Sequence, residues 1–127
     1  MDREKWNQLV TKLLSIGGTR VVEVFEEDLD KLLERGAIIQ GKPRLVKRRM
    51  RPCRCHQNSV LYYENYQVIK PDLRIVTGWS LSNDGLWRQH TWLKDNKEIV
   101  ETTVKRQVYF GIVLEGQELE DFCFVNQ

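Results

Sequence analysis

The chain has 127 residues, 41% of them hydrophobic and 30% charged, a makeup that excludes disordered and collagen-like chains and fits one globular domain spanning 1–127. No apolar run approaches the ~20 residues needed to cross a bilayer, and the opening Met1-Asp2-Arg3-Glu4-Lys5-Trp6 lacks a secretory signal's apolar stretch, so a cytoplasmic protein without a membrane partner is expected. The net charge of +2 hides a segregation: Lys42 to Arg54 holds seven of the twenty basic residues and no acid, leaving the rest of the chain at −5.

Residues Asp2 to Ile16 place Trp6, Leu9, Val10, Leu13 and Leu14 at helical spacing, and Gly17-Gly18 supplies the stop. From Thr19 to Arg35 the apolar positions again suit a helix closed by Gly36, although Val21-Val22-Glu23-Val24 also fits a short strand. Ala37 to Val46, broken by Gly41 and Pro43, reads as a connecting loop that leads into the basic stretch. A third helix is expected from about Cys55 to Tyr66, after Pro52. Beyond Pro71 the character changes: Leu73–Leu81, Leu86–Leu93, Glu98–Val104 and Gln107–Leu114 are short, rich in β-branched and aromatic residues, and separated by turn signals. The last stretch, Glu118 to Asn126, suits a short helix. The expected fold class is α+β, with N-terminal helices packed on a C-terminal antiparallel sheet of about four strands.

The strand spacing also brings chemistry together. A two-residue turn at Asp95-Asn96 pairs His90 with Glu101, Trp92 with Ile99 and Arg88 with Thr103 on one face, while Thr91 and Val100 point the other way. Facing side chains lie about 4.5–5.5 Å apart at Cβ, so a carboxylate can orient the imidazole and fix its tautomer. Cys55, at the start of the third helix, is the matching nucleophile, because a helix N-terminus and a nearby imidazolium both lower a thiol's pKa. The roles divide as Cys55 attacking a carbonyl, His90 moving the proton and Glu101 aligning His90. Backbone N–H groups of Cys55 or His56, with the Gln57 amide, would meet the oxyanion. His56 itself reads as a polar helix-start residue or a second imidazole of the site.

Trp79 faces His90 if the preceding turn is Asp84-Gly85; with a three-residue loop Asn83 to Gly85, Gly78 does. Ser80, Thr103, Arg88 and Trp92 are the remaining candidates for substrate contact, and Trp87 belongs to the sheet core. Cys123, between Phe122 and Phe124, reads as core. Cys53, Cys55, His56 and His90 carry zinc-type donors. However, Cys-x-Cys-His packs three of them into four residues, unlike paired zinc knuckles, so neither a metal nor another cofactor is expected. The basic segment Lys42–Arg54 would, in a binding module, engage nucleic acid or an acidic protein partner.

The order of Arg54-Cys55-His56-Gln57-Asn58-Ser59, Gln89-His90-Thr91-Trp92 and Ile99-Val100-Glu101-Thr102-Thr103 resembles the papain-like superfamily of cysteine enzymes, in particular its transglutaminase-like branch. There a helix-start Cys precedes a strand His-x-Trp and an acid on the next strand. The resemblance covers about Cys55 to Leu114. It implies a papain-like core and thiol acyl transfer on a protein or peptide-like amide: peptide hydrolysis, deamidation or transamidation.

Overall fold

A computed structural model describes all residues, Met1–Gln127. The fold is α+β, with four helices and a mixed sheet of seven strands. In chain order the elements are α1 (Arg3–Ile16), β1 (Arg20–Val21), α2 (Leu29–Arg35), β2 (Ala37–Ile38), β3 (Lys42–Leu45), α3 (Cys55–Tyr66), β4 (Leu73–Leu81), β5 (Leu86–Asp95), β6 (Glu98–Glu101), β7 (Val108–Val113) and α4 (Gly116–Val125). The strand order is β2-β7-β4-β5-β6-β3, with β1 alongside β5. Two pairings, β1 with β5 and β3 with β6, are parallel, and β2–β7 and β5–β6 are antiparallel. No helix is long and apolar enough to cross a membrane.

The expectation of about four antiparallel strands is therefore corrected. The three additional strands are two to four residues long and lie where a long helix and a loop were expected. β3 ends the strand order and holds Pro43 between Lys42 and Arg44. Proline and charge are tolerated on an edge strand, which needs only one set of ladder bonds, and both disguise it as a loop. Of Thr19–Arg35, only Leu29–Arg35 is helical, while Arg20-Val21 takes the strand alternative beside Leu86-Trp87.

The chain forms two compact units. The first comprises residues 1–39, 78–89 and 106–112. Asp2 caps α1 by accepting the Lys5 N–H at 3.1 Å, and the helix buries Trp6, Leu9 and Leu13. The Trp6 ring packs on Trp79 at 5.4 Å. Thr19 N–H donates to the Gly85 carbonyl at 2.7 Å, and a Cβ on Gly18, whose φ is +77°, would meet that carbonyl at 2.9 Å. Only glycine fits this close approach without strain.

The second unit comprises residues 40–77, 90–105 and 113–127. Its buried apolar residues include Val60 of α3, Ile75 and Val76 of β4, Trp92 and Leu93 of β5, and Ile99 and Val100 of β6. The β5–β6 hairpin turns at Asn96-Lys97, one residue later than expected, with Asn96 at φ 55°. Its register pairs Leu93 with Val100 and Lys94 with Ile99. The expected pairs of His90 with Glu101, Trp92 with Ile99 and Arg88 with Thr103 are each displaced by two. A two-residue slip preserves the face, so His90 and Glu101 remain diagonal neighbours.

Candidate active site

Helix α3 begins at Cys55 after a tight approach: Cys53 has φ 60°, and Arg54 caps the helix without any side-chain hydrogen bond. The first intrahelical bond is from Asn58 N–H to the Arg54 carbonyl at 2.8 Å. The amides of Cys55, His56 and Gln57 thus stand free of intrahelical acceptors, and no acidic residue occupies the first turn to offset the helix dipole. Buried Asn58 donates its side-chain amide to the Arg51 carbonyl at 2.7 Å, which ties the basic segment to the start of α3.

His90 and Glu101 are both buried, with His90 Nε2 and Glu101 Oε1 2.7 Å apart. Trp92 stacks on the His90 ring at 5.8 Å with 22° between planes. Nε2 is the ring nitrogen engaged by Glu101. The second Glu101 oxygen has no hydrogen-bond partner, which leaves the carboxylate's charge directed at the imidazole.

The imidazole in hydrogen-bond range of the Cys55 sulfur is that of its chain neighbour His56. The sulfur lies 3.9 Å from His56 Nδ1, which also contacts Thr91 Oγ1 at 2.6 Å, and Thr91 in turn meets Thr77 Oγ1 at 2.9 Å. The His56 ring sits edge-on to Phe122 of α4 at 5.5 Å. Burial alone would push the Cys55 thiol up, but hydrogen bonds and charge from His56 and His90 overcome it and pull the thiol down to about 5. Burial likewise opposes a charged His90, yet hydrogen bonds to Cys55 and Glu101, together with their negative charges, raise it to about 9. At neutral pH the site holds a thiolate beside an imidazolium, the state in which sulfur is nucleophilic.

Cys55, His56, His90, Trp92 and Glu101 come together in the second unit. Gln57 is exposed on α3. Thr103 is also buried in the second unit, whereas Trp79, Ser80 and Arg88 belong to the first, where Trp79 and Arg88 are otherwise engaged and the Ser80 hydroxyl has no hydrogen-bond partner. Trp79 packs on Trp6 and donates to Glu26 Oε1 at 2.8 Å; Ser80 is fully buried; Arg88 forms a paired contact with Asp84, the shorter arm 2.8 Å. The loop before β5 is the three-residue form, Asn83 to Gly85, closed by a bond from Ser82 N–H to the Leu86 carbonyl at 3.0 Å. Cys123 is half-buried rather than core, and burial together with the Glu64 charge pushes its thiol up. Cys53 is exposed, and no group of three or more His, Cys, Asp or Glu side chains is arranged to hold a metal ion.

Thr91 and Thr77 are the contributors that sequence reasoning missed. The strand alternation puts Thr91 on the face opposite His90, and only the position of α3 reveals that His56 reaches it. Comparison with family models, curated proteins and solved structures finds no match to this chain.

Proposed function

We propose that the protein is a cysteine-dependent acyl-transfer enzyme acting on amides, built on a papain-like core of the transglutaminase-like kind. The Cys55 thiolate attacks the substrate carbonyl carbon, forming a C–S bond and an oxyanion that faces the free first-turn amides of α3. As the C–N bond breaks, the His90 imidazolium gives its proton to the leaving amine, and a thioester remains. Neutral His90 then takes a proton from water or an incoming amine, which attacks the thioester and releases the Cys55 thiolate. Glu101 holds the ring in one orientation and offsets its charge whenever it is protonated. Hydrolysis, deamidation and transamidation differ only in the leaving group and the second nucleophile.

The observation that carries this proposal is the buried His90–Glu101 contact at 2.7 Å, which orients an imidazole in the same unit in which Cys55 opens the uncapped start of α3. Selective alkylation tests it. At about pH 6 a thiol titrating near 5 is almost fully ionised and an ordinary one near 8.5 is not; after allowing for the lower nucleophilicity of the more acidic thiolate, Cys55 should still react roughly tenfold faster than Cys53 or Cys123. Mass mapping should show this preference, with a midpoint near 5 that moves upward in His90→Ala. Three equally reactive thiols with ordinary midpoints would remove the nucleophile assignment.

A further inference from the structure

The basic segment lines a groove of about 1000 Å³ whose other wall is α3. Its cations are unequally engaged. Arg44 is held by Glu98 at 2.8 Å, Arg49 donates to the Thr103 carbonyl, and Lys70 lies 3.9 Å from Asp95. Exposed Lys47, Arg48 and Arg51 have no carboxylate partner, and Glu98, the one acidic residue of the lining, is already taken by Arg44. The groove therefore presents surplus positive charge at the end of the molecule's second unit that carries Cys55.

We propose that this groove binds an acidic polypeptide segment and delivers a neighbouring amide to Cys55, an inference that rests on the thiol chemistry proposed above. Asn58 lines the groove and lies one turn from Cys55, while Tyr62 lies two turns away. At 1.5 Å per residue the span from Cys55 to Tyr62 is about 10 Å, the length of about three residues of extended peptide. Asp or Glu residues roughly three to five positions from the reacting amide would then meet Lys47, Arg48 and Arg51. A single-stranded nucleic acid fits the lining less well, since successive bases need open aromatic faces. Tyr62 and Tyr66 pack on one another at 4.5 Å, so their facing ring surfaces are not open.

Fluorescence anisotropy with a labelled Glu-rich peptide of roughly ten residues, a neutral peptide of equal length and an oligothymidylate of equal charge tests the assignment. The Glu-rich peptide should bind, the neutral one should not, and binding should weaken about tenfold or more on raising salt and again in the double variant Lys47→Glu, Arg48→Glu. Since both positions are exposed, and the salt series uses the unaltered chain, a folding defect in the variant cannot produce the whole pattern. Absence of peptide binding, equal binding of the neutral peptide, or tighter binding of the oligothymidylate overturns the proposal. Lost peptide binding with Cys55 still selectively alkylated condemns the groove alone. Salt-sensitive peptide binding with three equally reactive thiols overturns the delivery step through failure of the thiol chemistry instead.

Discussion

Each unit buries one carboxylate, and the two are treated in opposite ways. Glu26 in the first unit is 5% exposed and receives neutral donors on both oxygens: Trp79 at 2.8 Å and Gln89 at 3.2 Å on Oε1, and the Asp28 N–H at 3.0 Å on Oε2. Glu101 in the second unit is 0% exposed, has the ionisable ring of His90 on one oxygen and nothing on the other. A carboxylate wrapped in neutral donors ties a loop to a strand, because each donor would otherwise be buried unsatisfied. One left with a single titratable partner sets that partner's charge. Burial and residue type do not separate the two roles; the chemistry of the donors does.

The same substitution at both sites should therefore give unequal results, with the larger at Glu101. Glu101→Gln keeps a hydrogen-bond acceptor for His90 but removes the charge that stabilises the buried imidazolium. Chemical denaturation should show a loss of about 3 kcal/mol, as for a broken buried pair. The Cys55 alkylation midpoint should also rise by about one pH unit or more as His90 loses its proton more readily. Native-like stability with a midpoint still near 5 would erase the distinction between the carboxylates.

Sequence spacing makes the His90–Glu101 neighbourhood and the helix start at Cys55 legible because all three residues lie on elements with strong local signals. Pro52 and the apolar pattern after it place the start of α3 at Cys55, and β4 runs over Leu73–Leu81 as its β-branched content predicts. The misplaced hairpin turn did not separate His90 from Glu101, since moving a turn by one residue moves every partner by two and leaves each side chain on its face. Contacts that depend on the placement of distant elements are not legible in the same way. The Thr91 contact of His56 requires the docking of α3, and the Glu26 cage draws on β4 and β5. β1, β2 and β3 are too short for periodicity to register and exist through the partners they pair with.

A second, smaller effect follows from the ion pair itself. Cys55 is lowered from 9.0 to about 5, so its contribution to stability is present above 9.0 and is lost as pH falls through 5. His90 is raised from 6.5 to about 9, so its contribution is present below 6.5 and is lost as pH rises through 9. Between about 6.5 and 9 folding moves a proton from sulfur to imidazole without net uptake, and the two slopes cancel. Between 6.5 and 5 only the thiol's slope remains. The unaltered protein should lose about 2 kcal/mol more than Cys55→Ala over that interval in parallel denaturation series. Identical pH profiles would mean that the thiol is not ionised in the folded protein.

Glu26→Gln should give the smallest change and the opposite pH trend. The amide oxygen can still accept from Trp79 and Gln89, while the amide nitrogen cannot accept from Asp28 N–H, which costs about 1 kcal/mol. Against that loss stands the cost of holding a charge where burial pushes the carboxyl above its ordinary range. A raised carboxyl binds its proton more tightly in the folded state, so its contribution to stability is full below 4.5 and declines as pH rises through the folded value. Glutamine has no such decline. The variant should therefore be weaker than the native chain near pH 4 and should close or reverse that gap by pH 7, leaving a net change within about 1 kcal/mol. A gap that widens with rising pH would show that the neutral donors favour the ionised carboxylate strongly enough to outweigh burial, and Glu26 would then join Glu101 as a charged group of the interior.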